Sequence, residues 1–201
     1  MERLSSAFSF RVMVCGIPEL AQFSNSGMTH VLSIMDPATP DPEAFAGFPP
    51  HDRTVLRFHD DIREEPGRQP PQTHHVRALL ELGDRLAATP APGAHVLVHC
   101  HMGISRSTAA VVILLAQQNP GAEREAFAEL RRLRPFSWPN SRMIAMADDL
   151  LGRGGALIEA LHPHRHEVLK RHPEIADLVV RIGREHELPA GYARGSLGPF
   201  D

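Results

Sequence analysis

The sequence predicts an α/β protein: a central, mostly parallel sheet of four to five strands flanked by helices. Short apolar runs alternate with longer segments that carry apolar residues at helical spacing, which is typical of parallel strands joined by helices. The run at residues 94–98 is apolar apart from His95, as expected of a central strand that is buried on both faces. At 201 residues, the chain is long enough for one domain with a sizeable core.

Four apolar or β-branched runs predict the strands: residues 10–14, 29–34, 54–58 and 94–98. The first is broken by Gly16, and Pro18 then opens a helical turn over residues 18–23. Asp36-Pro37 stops the second run, and residues 37–50, with five prolines and one glycine, are predicted to be a loop.

Helical spacing of apolar residues predicts the helices: residues 75–86, a segment that begins near Ser105, Glu123–Leu133 and residues 141–151. The first helix would bury a stripe of Val76, Leu79, Leu80, Leu82 and Leu86. Pro and Gly at positions 90–93 would end it.

We predict a domain at residues 1–152, a glycine-rich hinge that follows it, and a helical C-terminal extension at residues 153–201. The extension contains two short predicted helices, at residues 156–162 and 173–184, and a tail over the last dozen residues. We expect it to pack against the domain as a lid or a dimerisation element, and the sequence leaves the oligomeric state open.

Composition excludes several classes of function. A net charge of −3 gives no electrostatic support for nucleic-acid binding. No apolar run approaches the ~20 residues needed to cross a bilayer, and the first residues do not resemble a secretion signal. Two cysteines, Cys15 and Cys100, are too few for a disulfide framework, so we expect a cytoplasmic protein. Because no run is long enough to span a bilayer, we also expect no membrane partner.

The segment at residues 99–107 carries the strongest chemical signal. It places Cys100 and Arg106 six positions apart, between a strand and a helix, where backbone N–H groups converge on one point. A helix N-terminus, these N–H groups and a nearby guanidinium all favour the thiolate form of a cysteine. Gly103 allows a bend that requires positive φ, and the Ser107 hydroxyl can hydrogen-bond the sulfur. This pattern predicts a nucleophile inside a phosphate-binding loop.

His99-Cys100-(five residues)-Arg106-Ser107 resembles the HCx5R signature of the cysteine-dependent protein tyrosine phosphatases, and most resembles their dual-specificity branch. The resemblance covers roughly residues 8–152 in order and spacing, but not the last fifty residues. It implies hydrolysis of phosphate monoesters through a phosphocysteine on Cys100, without a metal or cofactor. It also implies a phosphate-binding set: His101, Met102, Gly103, Ile104, Ser105 and Arg106.

The family mechanism implies an aspartate that acts first as an acid and then as a base. Asp60 and Asp61 follow the third predicted strand, about forty residues before Cys100. The strand spacing of some relatives selects Asp60, whereas other relatives, which have a longer turn, select Asp61. The sequence leaves this choice open, with a slight preference for Asp61.

The expected substrate is a phosphorylated protein, with phosphotyrosine the leading candidate, or a small phosphate monoester. The loop carries no lysine, which disfavours inositol lipids. Two alternatives remain: a regulatory module that binds phosphate without turnover, and a phosphatase for inositol phosphates, nucleotides or RNA 5′ ends.

Other residues have simpler interpretations. His99 is predicted to orient the loop, and Cys15 to be a core residue, with a redox partnership with Cys100 as the alternative. We predict no metal site in the histidine-rich tract, which comprises His162, His164, His166 and His172. Three arginines are predicted to lie on a solvated helix face: Arg131, Arg132 and Arg134.

Overall fold

The computed structural model describes residues 9–89, 93–190 and 192, and is built around a four-stranded, all-parallel sheet. The strands are β1 (Arg11–Gly16), β2 (His30–Met35), β3 (Asp52–Arg57) and β4 (His95–Cys100). Their order is β1-β4-β2-β3, so β4 is an inner strand. The predicted α/β class and parallel sheet are confirmed.

The register aligns the carboxyl ends of β1, β2 and β4 at one end of the sheet. Cys15 of β1 and Ser33 of β2 both lie opposite His99 of β4, and Gly16 lies opposite Cys100. β1 and β4 extend two residues beyond the predicted ends because their backbone pairing continues to Gly16 and Cys100. The nucleophile candidate is therefore the last residue of a central strand.

The described residues form six α-helices: α1 (Thr73–Ala87), α2 (Arg106–Gln118), α3 (Glu123–Leu133), α4 (Ser141–Leu150), α5 (Ala156–Arg171) and α6 (Ile175–Arg181). Short 3₁₀ helices occur at Ile17–Phe23, Glu43–Gly47 and Glu185–Glu187. Within α2, every residue from Arg106 to Ala116 is buried, as expected of a helix covered on all sides. The predicted loop at residues 37–50 contains the second 3₁₀ helix, in which Phe45 N–H donates to Pro42 O.

The predicted end of the helix at residues 156–162 is wrong. α5 continues beyond residue 162, through Pro163 to Arg171. An internal proline costs about 3 kcal/mol because it removes one hydrogen bond and crowds the preceding turn. Burial of the following turns offsets this cost: His164, Val168 and Leu169 are all at most 1% exposed.

The C-terminal extension packs directly on the loop that follows β4. Residues from α5 and α6 form one apolar cluster with loop residue Ile104 and with Trp138: Val168, Leu169, Ile175, Ala176 and Val179. The glycine-rich turn before α5 is tied down by Asp148, whose carboxylate accepts from the N–H groups of Gly155 and Leu157. The boundary at residue 152 stays a prediction, although side chains pack extensively across it.

Two further predictions concern the ends of the chain. The predicted tail lies outside the described residues, apart from positions 190 and 192. Residues 90–92, which belong to the segment predicted to end the first helix, also lie outside them. In the described part of the chain, no helix has the length and apolar character to cross a bilayer.

Candidate active site

Cys100 and Ser107 meet where β4 turns into α2. Cys100 is 2% exposed, and its Sγ lies 3.2 Å from Oγ of Ser107, the second residue of α2. The sulfur is therefore placed at a helix N-terminus next to a hydroxyl that can donate a hydrogen bond to a thiolate.

Arg106 connects the ends of three strands. Its Nη1 donates to Oδ1 of Asp36, directly after β2, and to the carbonyl of Phe58, directly after β3, both at 2.6 Å. The side chain is 4% exposed, and its Nε has no hydrogen-bond partner among the described residues. Guanidinium groups bind oxyanions through two N–H groups, and this arrangement holds the fork in place while Nε stays available.

Sequence reasoning missed the role of Asp36. A signal existed, because a polar residue at the carboxyl end of a parallel strand lies at the edge where ligands of open α/β sheets bind. From the sequence alone, Asp36 is interpreted only as a residue that ends the second predicted strand.

Gly103 is required by both conformation and space. Its φ is +69°, as the predicted bend demands, and a Cβ there would lie 2.6 Å from the carbonyl carbon of Cys15 and the nitrogen of Gly16. Gly16 is equally close to the loop, since its own Cβ would lie 2.8 Å from the carbonyl carbon of Met102. The loop thus rests directly on the end of β1.

Arg134 supports the loop from outside, which corrects the prediction that it lies on a solvated helix face. It donates to the carbonyls of Gly103 and Met102, each at 3.1 Å, and to Oε1 of Glu19 at 2.7 Å. Because a peptide unit is planar and trans, carbonyls turned toward Arg134 direct the following N–H groups the opposite way. The N–H groups of Gly103 and Ile104 are fixed in this manner.

The two other arginines of this set differ from Arg134. Arg132 is exposed and pairs with Glu129 on the same helix. Arg131 is half-buried and its Nη1 lies 3.2 Å from Nδ1 of His164. The predicted solvated face is therefore right for Arg132 alone.

Asp60 and Asp61 have different partners. Oδ1 of Asp60 accepts from the Ser105 hydroxyl at 2.7 Å and from Nδ2 of Asn140 at 2.8 Å, so Asp60 contacts the loop. Asp61 forms two parallel hydrogen bonds of 2.8 Å with Arg68. Sequence reasoning did not find Asn140 as a partner, because 80 positions separate it from Asp60.

His99 is fully buried, and its Nε2 lies 2.7 Å from the Ser33 hydroxyl. Burial lowers the pKa of His99 to about 4, and the nearby positive charge of Arg53 acts in the same direction. The ring is neutral at physiological pH, which supports an orienting role. His101 is also held, since its Nε2 lies 3.4 Å from both Asp36 N and Thr39 Oγ1.

The remaining loop side chains differ in exposure. Met102 is 62% exposed, whereas Ile104 and Ser105 are buried, Ile104 within the cluster that contains Trp138. Any phosphate contacts of Met102 and Ile104 would therefore come from their backbone N–H groups.

Cys15 and Cys100 face opposite sides of the sheet. Cys15 packs with Leu97 and Val31 in one cluster, and Cys100 belongs to the main core on the other side. Burial, followed by Glu19, raises the pKa of the Cys15 thiol to about 12. Both observations favour the core role over the redox alternative.

The histidine-rich tract is dispersed. His164 is fully buried in α5 while His162 and His166 flank a surface groove. Within the described ranges, no group of three or more His, Cys, Asp or Glu residues is arranged to hold a metal ion. The absence of a metal site stays a prediction.

Comparison with solved structures shows which fold carries this geometry. The crystal structure of human DUSP28 superimposes on this chain with a TM-score of 0.53 and 18% sequence identity. The match covers 72% of this chain and 94% of the DUSP28 chain. The Yvh1 phosphatase domain from Chaetomium thermophilum gives a TM-score of 0.52 at 22% identity. This match covers 75% of the present chain and 94% of the Yvh1 domain chain. The chain has the dual-specificity phosphatase fold and carries its HCx5R signature loop. No family model matches the chain.

Sequence relatives are phosphatases of greater length. The human protein phosphatase Slingshot homolog 3 is 42% identical over 55 residues, which are 27% of this chain and 8% of that protein. The tyrosine-protein phosphatase yvh1 of Schizosaccharomyces pombe is 29% identical over 100 residues, which are 50% of this chain and 30% of that protein. This chain therefore spans less than a third of the length of either relative.

Proposed function

We propose that this protein hydrolyses phosphate monoesters through a phosphocysteine intermediate on Cys100. The observation that carries the proposal is the 3.2 Å contact between Cys100 Sγ and Ser107 Oγ, in a loop that ends at the buried Arg106. Helix N-termini bind anions through N–H groups, and a guanidinium binds two phosphate oxygens. The same point therefore suits a thiolate nucleophile and a dianionic phosphate.

In the first step, the Cys100 thiolate attacks phosphorus. The S–P bond forms as the P–O bond to the leaving group breaks, and the leaving oxygen takes the electron pair and a proton from an aspartic acid. Arg106 and the loop N–H groups stabilise the negative charge on the equatorial oxygens.

In the second step, water attacks phosphorus and gives a proton to the same aspartate. The S–P bond breaks, its electron pair returns to sulfur, and inorganic phosphate leaves. The Ser107 hydroxyl stabilises the thiolate that forms, which makes sulfur a better leaving group.

We assign the acid to Asp60, in place of the slight sequence preference for Asp61. The support is the pair of hydrogen bonds from Ser105 and Asn140 to Oδ1 of Asp60, whereas both oxygens of Asp61 are engaged by Arg68. Asp60→Asn should slow hydrolysis of phenyl phosphate by about 10²-fold or more, because general acids contribute 10²–10⁴-fold. Asp61→Asn is the matched control, and a larger loss in that variant would move the assignment to Asp61.

The proposed substrates are phosphorylated proteins, with phosphotyrosine first, or small phosphate monoesters. Support comes from the relatives, whose names describe a protein phosphatase and a tyrosine-protein phosphatase. The cytoplasmic location stays a prediction.

The test is hydrolysis of p-nitrophenyl phosphate in the presence of a chelator, across about pH 4.5–8. We expect turnover in the wild type, none in Cys100→Ser, and retained turnover in Cys15→Ala. Turnover that survives in Cys100→Ser would contradict the mechanism. Tungstate binding by a wild type that shows no turnover would instead support the phosphate-binding module.

A further inference from the structure

Arg184, which lies in the C-terminal extension, reaches the signature loop. Gly183, two residues after the end of α6, has φ +72°, and the Arg184 N–H donates to Val179 O in the resulting turn. This turn carries the Arg184 side chain inward, where it is 4% exposed. Asp60 and Arg184 line one small cavity of about 80 Å³.

The guanidinium of Arg184 acts on Asp60 in two ways. Its Nη1 donates to Ser105 Oγ at 2.9 Å and lies 3.8 Å from Oδ1 of Asp60. A hydroxyl has a single proton, and a donor that occupies an oxygen lone pair leaves that proton for an acceptor. The Ser105 proton is thereby directed to Asp60 Oδ1, 2.7 Å away.

Arg184 is itself held rigidly. Its Nε donates to Oε2 of Glu187 at 2.7 Å, and Glu187 also accepts from Nε1 of Trp138 at 2.9 Å and Nη2 of Arg165 at 2.6 Å. The Ser141 hydroxyl donates to the same carboxylate. Burial alone would raise the pKa of Glu187, but Arg184 and Arg165 outweigh it and hold that pKa below its ordinary value. The carboxylate stays charged and fixes the guanidinium.

We infer that Arg184 is a positioning residue for the proposed acid step: through Ser105 and by direct attraction, it holds Oδ1 of Asp60 in place. Oδ1 then accepts from Ser105 and Asn140, so the transferable proton is carried by Oδ2. The inference rests on the proposed phosphatase function. It makes the extension a part of the site rather than only a cover.

The experiment compares two substrates that differ in leaving group. Acid catalysis matters more for phenyl phosphate than for p-nitrophenyl phosphate, because phenolate is the poorer leaving group. We expect Arg184→Met to lose about tenfold more kcat on phenyl phosphate than on p-nitrophenyl phosphate, with KM little changed. Arg184→Lys should recover part of this loss, since it retains a charge opposite Glu187. Arg181→Met, an exposed arginine at the end of α6, is the matched control.

Two further arms separate folding from catalysis. If Arg184→Met fails to fold, Arg184→Lys alone carries the test, because an ammonium cannot bind Ser105 and Glu187 with one rigid fork. In an Asp60→Asn background, substitution of Arg184 should add no further discrimination between the substrates.

The outcomes distinguish the two proposals. A wild type that hydrolyses neither substrate would overturn the phosphatase function and this inference with it. A wild type that is active, together with Arg184 variants whose losses are equal on both substrates, would overturn this inference alone.

Discussion

Replacement of Gly103 by alanine tests whether the loop depends on its contact with β1. Alanine at a positive φ costs roughly 1–2 kcal/mol. At Gly103 the new Cβ would also lie 2.6 Å from two backbone atoms, against 3.4–4 Å for ordinary contact. Relief of such overlap in a packed interior costs about 1–3 kcal/mol, so the free energy of unfolding should fall by about 2–5 kcal/mol.

Gly121, three residues after the end of α2, provides a matched control. Its φ is +86°, but a Cβ there would have nothing within 4 Å, so Gly121→Ala should cost only the conformational part, about 1–2 kcal/mol. The difference between the two variants isolates the steric cost of the loop.

Two assays report the outcome. Trp138 is the single tryptophan and is 1% exposed, so its fluorescence follows denaturant unfolding. Hydrolysis of p-nitrophenyl phosphate should fall by about 10²-fold in folded Gly103→Ala, because a displacement of 1 Å can cost that much. Equal destabilisation of both variants, with activity kept in Gly103→Ala, would refute the reasoning.

Three further predictions follow from the site and its surroundings. Ser107→Ala should show a burst of p-nitrophenol and a steady state about tenfold slower, as loss of a hydrogen bond to the sulfur leaving group costs about 1.5 kcal/mol. Stopped-flow absorbance measures both phases. Arg134→Met should lower kcat/KM for p-nitrophenyl phosphate by about tenfold, because two loop carbonyls lose their donor. Steady-state kinetics beside the exposed Arg132→Met check this. For His164, burial, followed by Arg131 and Arg165, lowers the pKa from 6.5 to about 3. The stabilisation by neutral His164 is fully present above pH 6.5 and is lost as pH falls toward about 3, by about 2 kcal/mol at pH 5. Denaturant unfolding at about pH 7 and 5 should show this loss reduced in His164→Gln.

Each of these predictions has a contradicting result. A slow steady state without a burst in Ser107→Ala would mean that the hydroxyl acts before the intermediate forms. Equal kinetics of the Arg134 and Arg132 variants would remove the proposed support of the loop. An unchanged pH dependence in His164→Gln would show that His164 is not the titrating group.

The sequence determined the fold class and the centre of the loop because both depend on local patterns. Alternating apolar runs and helical spacing predict strands and helices within short windows. The spacing of Cys100, Gly103, Arg106 and Ser107 is local as well, so one strand–loop–helix segment brings these four together.

The tertiary structure alone decided which distant residues complete the site. Asp36 and Arg106 are 70 positions apart, Asn140 and Asp60 are 80 apart, and Arg184 and Ser105 are 79 apart. Such contacts follow from strand order and helix packing, which no short window of sequence encodes. The course of α5 through Pro163 has the same origin, because burial of its later turns overrides a local helix-breaking signal. The sequence therefore determined the proposed nucleophile and its loop, and the packing of the described residues determined which side chains position them.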